Sequence, residues 1–295
     1  VFVVDGEGRR EPIDAMPGQY RLSVDELLSD LEPVAGSGIG GVLLFGVAGD
    51  VPKDARGTPA AAEGGTVQRA TRAIAREFPD LVLMTDVCLC AYTEHGHCGP
   101  LDDDSDVDND AALEMLSKVA VSHARAGADV VAPSAMMDGQ VLAIRCALDE
   151  EGFGDTVIMS YSTKFASAMY GPFREAEQSA PQGGDRQGYQ ASYADLNTAL
   201  RESDLDVEEG ADILMVKPSL FYMDVICRLR ARTDLPLAVY NVSGEYSMLI
   251  AAAERGWGDL SAMVRESIIG LKRAGADIFL SYWANRYDEI FGGNA

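Results

Sequence analysis

Three cysteines, Cys88, Cys90 and Cys98, lie within eleven positions, and two lysines, Lys164 and Lys217, each sit at or just beyond the end of a short apolar run. Alternation along an extended segment puts the thiols of Cys88 and Cys90 on one side, and Cys98 returns after a seven-residue loop that contains His95 and His97. Three thiolates plus an open position would suit a zinc ion acting as a Lewis acid on water or substrate. A closed structural site completed by His95 or His97 is the competing arrangement. In a reducing compartment such a cluster points to metal rather than to a disulfide. Cys146 and Cys227 fall within helical patterns and read as small core hydrophobes. His123, also on a helix, reads as structural.

Lys217 follows Ile213, Leu214, Met215 and Val216 and precedes Pro218. Desolvation and a neighbouring cation, which Lys164 would supply, both lower an ammonium pKa from its usual ~10.4. The neutral amine that results can attack a ketone to form a Schiff base. A strand-end lysine that snorkels to solvent is the plain alternative for either residue alone. It weakens in a chain whose only lysines are Lys53, Lys118, Lys164, Lys217 and Lys272.

These groups need a scaffold that brings strand ends together. Short apolar runs at 1–4, 41–47, 81–87, 129–132, 157–161, 213–216, 237–241 and 278–281 alternate with amphipathic stretches such as 24–31, 67–78, 111–126, 141–151, 224–230 and 260–274. Eight strands in strict alternation predict a (β/α)8 TIM barrel in the α/β class, one domain over 1–295. The barrel mouth then collects Cys88 and Cys90 after the third strand, Ser134 after the fourth, Lys164 after the fifth, Lys217 on the sixth, Ser243 after the seventh and Tyr282 after the eighth. Gly127-Ala-Asp129, Gly210-Ala-Asp212 and Gly275-Ala-Asp277 echo one another where a helix ends and a strand opens, the glycine serving as a left-handed cap. A doubly wound sheet would show its phosphate loop after an early strand; the glycines of 36–41 precede theirs and read as a helix-ending turn. The glycine-rich insert 171–190 is a candidate lid, and its Arg174 and Arg186 are suited to gripping a carboxylate.

The 47 acidic residues against 24 basic ones give a formal charge of −23, which argues against nucleic acid and anionic membrane as partners. No apolar run approaches the roughly 18 residues of a spanning helix, so a cytoplasmic, soluble protein is expected. The acidic, lysine-poor composition resembles that of proteins adapted to high salt. The run 102–110 fails as a calcium loop, since a loop starting at Asp104 would place Asn109 where glycine belongs and Met115 where glutamate belongs. It reads as a solvated loop that ends in a helix cap at Asn109 or Asp110.

Taken together, the stretches 86–99 (Asp86 to Gly99), 161–174 (Tyr161 to Arg174), 215–218 (Met215 to Pro218) and 242–246 (Val242 to Tyr246) resemble the porphobilinogen synthase family, and the likeness extends over nearly the whole chain. The resemblance implies condensation of two molecules of 5-aminolevulinic acid with Lys217 as the Schiff-base lysine, Lys164 as its partner, and a catalytic zinc on Cys88, Cys90 and Cys98 beside Asp86. It implies substrate contacts for Arg174, Arg186, Gln190 and Phe173 in the lid, and for Ser134, Tyr161, Ser243 and Tyr282. Gly188 stands where some zinc-rich members carry a further cysteine, Glu202 matches a position that binds an activating magnesium in many bacterial members, and the family's assembly is a homo-octamer. The N-terminal arm by which family members wrap a neighbouring subunit is not in this sequence. A class I aldolase and a barrel that only stores metal are the rival readings; the first has no use for three cysteines and the second none for paired mouth lysines.

Overall fold

The structure is a computed structural model that describes residues 1–292. All eight expected strands form: β1 (Phe2–Val3), β4 (Gly41–Gly46), β5 (Val82–Val87), β6 (Val130–Pro133), β7 (Val157–Lys164), β8 (Ile213–Lys217), β9 (Leu237–Asn241) and β10 (Ile278–Ser281), each parallel to its neighbours in chain order. A hairpin of β2 (Arg10–Pro12) and β3 (Tyr20–Leu22), not foreseen in the sequence, extends the sheet beside β1. The ring closes through side chains: the Phe2 and Tyr282 rings stack with centroids 6.2 Å apart, and Gln19 Nε2 donates to the Tyr282 carbonyl at 3.1 Å.

Alternate residues of these strands, including Phe2, Phe45, Met159, Tyr161, Met215 and Tyr240, fill the interior as one buried apolar cluster. The opposite faces of the strands pack against a surrounding layer of helices: α1 (Val24–Ala35), α2 (Thr66–Glu77), α3 (Asn109–Ala126), α4 (Gln140–Glu150), α5 (Gly171–Glu177), α6 (Leu196–Glu208), α7 (Met223–Arg230), α8 (Ser243–Glu254), α9 (Leu260–Ala274) and α10 (Tyr287–Phe291). The three echoed glycines are left-handed, with φ of 103° at Gly127, 99° at Gly210 and 118° at Gly275. The aspartate two places later has its own task. Asp129, Asp212 and Asp277 each accept a backbone N–H from the first or second residue of the preceding strand, at Leu83, Ile158 and Leu237, over 2.8–2.9 Å. A recurrent glycine-to-aspartate turn thus clasps neighbouring barrel strands at their base.

β7 runs three residues further than expected and holds the register irregularity that matters most for the mouth. Ser160 pairs with Leu214 and Thr163 with Val216, so three steps on β7 match two on β8. This bulge inverts the inside-outside phase beyond Tyr161 and sets Lys164 directly opposite Lys217.

Two smaller expectations are corrected. Cys146 and Cys227 are exposed, because they fall on the outer faces of their helices. The cap of α3 is Asp108, whose side chain accepts from Ala111 N, one residue before the expected pair. No described helix is long and apolar enough to cross a membrane.

Candidate active site

Lys217 ends β8 and is buried. Its Nζ lies 4.2 Å from the ring centre of Tyr240, 4.8 Å from Phe173, 5.0 Å from Tyr161, 5.5 Å from Tyr170 and 5.8 Å from Phe45. Rings attract an ammonium less than the water they replace, so burial, with the Lys164 cation second, lowers the Lys217 pKa to about 7 against the pull of Asp86. Lys164, also buried, donates from Nζ to the Ser134 carbonyl at 2.6 Å.

The loop after β8 is pinned by Glu245 of α8. Its carboxylate accepts from the backbone N–H groups of Ser219, Leu220 and Val242 at 3.0, 2.7 and 2.8 Å, and from Asn241 Nδ2 at 3.1 Å. The segments leaving β8 and β9 therefore meet on one buried anion.

The Cys88, Cys90 and Cys98 sulfurs all lie within 4.8 Å of one another, are buried, and form no disulfide. The thiols titrate as a unit. Hydrogen bonds from Cys88 and Cys90 pull Cys98 well below the usual thiol range, while the Cys90 thiol, whose largest influence is its hydrogen bond with Cys88, is pushed well up. Three buried sulfur donors of which one readily becomes a thiolate fit a soft divalent metal. Neither histidine joins them: His97 Nε2 contacts the Gly183 carbonyl at 3.0 Å and its Nδ1 the Tyr189 hydroxyl at 3.1 Å, while His95 Nε2 contacts the Ala55 carbonyl. The closed three-cysteine, one-histidine arrangement is not the one formed here. Asp86, on β5 beside Cys88, has its carboxyl raised to about 7, chiefly by burial and then by Glu177.

The lid segment opens with α5, which carries Phe173 and Arg174. Arg21 of the hairpin holds the end of this helix, donating to the carbonyls of Ala176 at 2.7 Å and Glu175 at 2.6 Å. Arg186, buried, donates to the carbonyls of Ser179 at 2.7 Å and Gly96 at 2.9 Å, so the lid is tied down over the cysteine loop. Ser243 accepts from Phe173 N at 3.0 Å, and Tyr282 shares a 3.0 Å hydrogen bond with Tyr240. Several sealed polar atoms among these residues have no partner: Asp86 Oδ1, Tyr161 Oη, Arg174 Nε, Arg186 Nε and both amide atoms of Gln190. Buried polar groups are nearly always satisfied, so such a set marks the place of a polar ligand. Glu202 stands apart on α6, half-buried, with its carboxyl raised by burial and then by Asp138 and Glu209.

Of the residues singled out in the sequence, the structure gathers the lysines, the thiols, Asp86, the lid arginines and Gln190 at this end of the barrel. Sequence reasoning missed Glu177, Glu245, and the rings of Tyr170 and Tyr240 around Lys217. A carboxylate three residues after Arg174 on the lid was the available signal for the first.

Fold and site together define a (β/α)8 barrel with a buried amine beside a metal-capable thiol cluster. A family profile described as Delta-aminolevulinic acid dehydratase matches residues 1–290. The delta-aminolevulinic acid dehydratase of Synechococcus elongatus is 53% identical over 287 residues, covering 96% of this chain and 87% of the relative. That of Methanothermobacter thermautotrophicus is 54% identical over 279 residues, covering 95% of this chain and 84% of the relative. The crystal structure of the Toxoplasma gondii enzyme in complex with the reaction product porphobilinogen superposes with a TM-score of 0.96 at 43% identity, covering 98% of this chain and 82% of that one. The chain belongs to the delta-aminolevulinic acid dehydratase (porphobilinogen synthase) family and is an enzyme of tetrapyrrole biosynthesis.

Proposed function

We propose that this chain condenses two molecules of 5-aminolevulinic acid to porphobilinogen, with loss of two waters, through an imine on Lys217. The observation that carries the residue assignment is the ring-lined burial of the Lys217 amine directly opposite Lys164. Near pH 7 a substantial fraction of that amine is neutral, so its lone pair attacks the ketone of one substrate without first surrendering a proton to water. The protonated imine then withdraws electrons from the adjacent carbon, and Asp86 takes the proton released there, a role its carboxyl near 7 and unpartnered Oδ1 support. Lys164 holds the second substrate with the Ser134 and Tyr161 groups at its side. Carbon–carbon and carbon–nitrogen bond formation then close the pyrrole.

Arg174, Arg186 and Gln190 grip the carboxylate of one substrate, and the sealed unpartnered atoms of these three residues support that reading. Ser243 and Tyr282 bind the other carboxylate, and Phe173 packs along the chain of the substrate held at Lys217. Zinc on Cys88, Cys90 and Cys98 would supply a Lewis acid beside the second substrate. Magnesium at Glu202, away from the catalytic residues, would act allosterically; its negative neighbours Asp138 and Glu209 support a cation there, and activity indifferent to magnesium would count against it. The chain works in the cytoplasm as one catalytic domain over 1–295 and assembles into a homo-oligomer, an octamer by resemblance. Exposed Phe221, Trp257 and Ile269 offer apolar surface for that assembly.

Incubation with 5-aminolevulinate followed by borohydride should reduce the imine and add the substrate mass less one oxygen atom, water being lost and two hydrogens gained, to the peptide containing Lys217, while the untreated protein makes porphobilinogen. Lys217→Ala should lose both signals and keep its metal. Turnover in that variant would remove Lys217 from the mechanism.

A further inference from the structure

Glu177, the last residue of α5, is buried against the thiol cluster with only 3% of its surface exposed. Its Oε2 accepts from Cys90 Sγ at 3.3 Å and from Ser179 Oγ at 2.6 Å. Both partners are neutral groups, so no hydrogen-bonded cation holds this buried carboxyl, and a divalent ion can compete for it. A divalent metal at the adjacent sulfurs is such an ion. Glu177 also borders, with Asp86, Cys88 and His123, a small space of about 10 Å³.

We propose that Glu177 supplies the fourth, exchangeable donor of the metal site built on Cys88, Cys90 and Cys98, closing it in the resting protein and giving way when substrate binds. This rests on the reading that those three thiols hold the metal. Zinc–sulfur and zinc–oxygen bonds of about 2.3 and 2.1 Å at a tetrahedral angle put sulfur and oxygen roughly 3.6 Å apart. The Cys90–Glu177 separation of 3.3 Å and the Cys88–Cys90 separation of 3.4 Å are near such edges. Among the described residues only the three sulfurs are all mutually within 4.8 Å, so the carboxylate completes the site by turning about its own side-chain bonds. When it ligates, the Cys90 proton it now accepts is released to solvent, and the metal–oxygen bond forms in place of that hydrogen bond. When substrate enters, its own oxygen or nitrogen donor makes a bond to the metal as the Glu177 bond breaks.

The position on α5 gives this exchange a consequence. The same helix carries Phe173 and Arg174, so the element that captures substrate is also the one that opens the fourth position of the metal. Substrate docking and metal activation are then one movement rather than two.

The test compares the unsubstituted protein with Glu177→Gln and Glu177→Ala, each checked for folding by circular dichroism. Zinc affinity is read by competition with a chromophoric chelator, and coordination by the absorption of the cobalt-substituted protein. Glu177→Ala should bind zinc about 10- to 100-fold more weakly. The cobalt bands of both variants should differ from wild type, and 5-aminolevulinate should move the wild-type bands toward theirs. Equal affinities with superimposable cobalt spectra overturn the proposal. The unsubstituted protein gives a separate reading, because a ligating Glu177 shifts carboxylate bands in the zinc-minus-apo infrared difference spectrum, and no such shift overturns it equally. A wild-type protein that binds neither zinc nor cobalt would instead sink the three-thiol reading beneath it.

Discussion

The chemistry of Lys217 is set by what surrounds one nitrogen. Five aromatic rings and the Lys164 cation act in the same direction, and the nearby anions Asp86 and Glu177 act against them. Removing the cation therefore raises the Lys217 pKa, and removing the Asp86 charge lowers it further. Imine trapping requires the free amine, so its rate rises with pH through about 7 in the wild type. In Lys164→Met the midpoint should move upward by about one pH unit, and in Asp86→Asn it should move downward. Borohydride trapping followed by mass spectrometry across a pH series reads both, and coincident midpoints would mean that burial alone sets the amine. The two lysines were legible in the sequence because lysine is scarce and each follows an apolar run. The ring cage was not, because Tyr170, Phe173 and Tyr240 come from two other parts of the chain and no local spacing links them to Lys217.

At the scale of the element, the decisive feature is the bulge in β7. Side chains alternate with a period of two, so in a regular strand Tyr161 and Lys164, three residues apart, would face opposite sides of the sheet. With the bulge, Tyr161 lines the barrel interior and Lys164 meets Lys217 across the ladder. Inserting one alanine between Ser162 and Thr163 should shift the alternation by a further residue and swing Lys164 into the helix layer. Porphobilinogen formation should then fall by about 100-fold or more, as expected for a misplaced catalytic group, while the Lys217 imine is still trapped. Undiminished turnover in the insertion variant would show that the register of β7 does not position Lys164. Eight strands could be read from apolar runs and turn signals, but a slip of one residue within a run leaves no compositional mark. The hairpin was invisible for a related reason: Arg10-Glu11-Pro12 is polar, half of it faces solvent, and its partner strand is three residues long. Glycine and proline opened α5, and Ser243-Gly244 opened α8, so both helices began where sequence signals indicate loop.

Over the whole molecule, charge opposes compactness. With 47 acidic and 24 basic residues, pairing cannot neutralise the surface. The pairs that do form, such as Arg56–Glu114, Lys118–Glu114 and Arg125–Glu151, are about half exposed. Each contributes little, on the order of 0–1 kcal/mol. The unpaired carboxylates repel one another over the Debye length, about 10 Å at 0.1 M salt and about 3 Å at 1 M. Raising potassium chloride from about 0.1 to 1 M should shorten that repulsion more than it weakens the exposed pairs, because like charges outnumber available partners. The melting temperature should rise by several degrees, each kcal/mol of relief being worth about 2–4 °C in a domain of this size class. Chloride salts of sodium and potassium should act alike if screening is the cause, with sulfate adding a further increment through surface exclusion. A melting temperature that falls with potassium chloride would show that the arginine–carboxylate pairs outweigh the net repulsion, and a rise seen only with sulfate would assign the salt response to burial of apolar surface instead of charge.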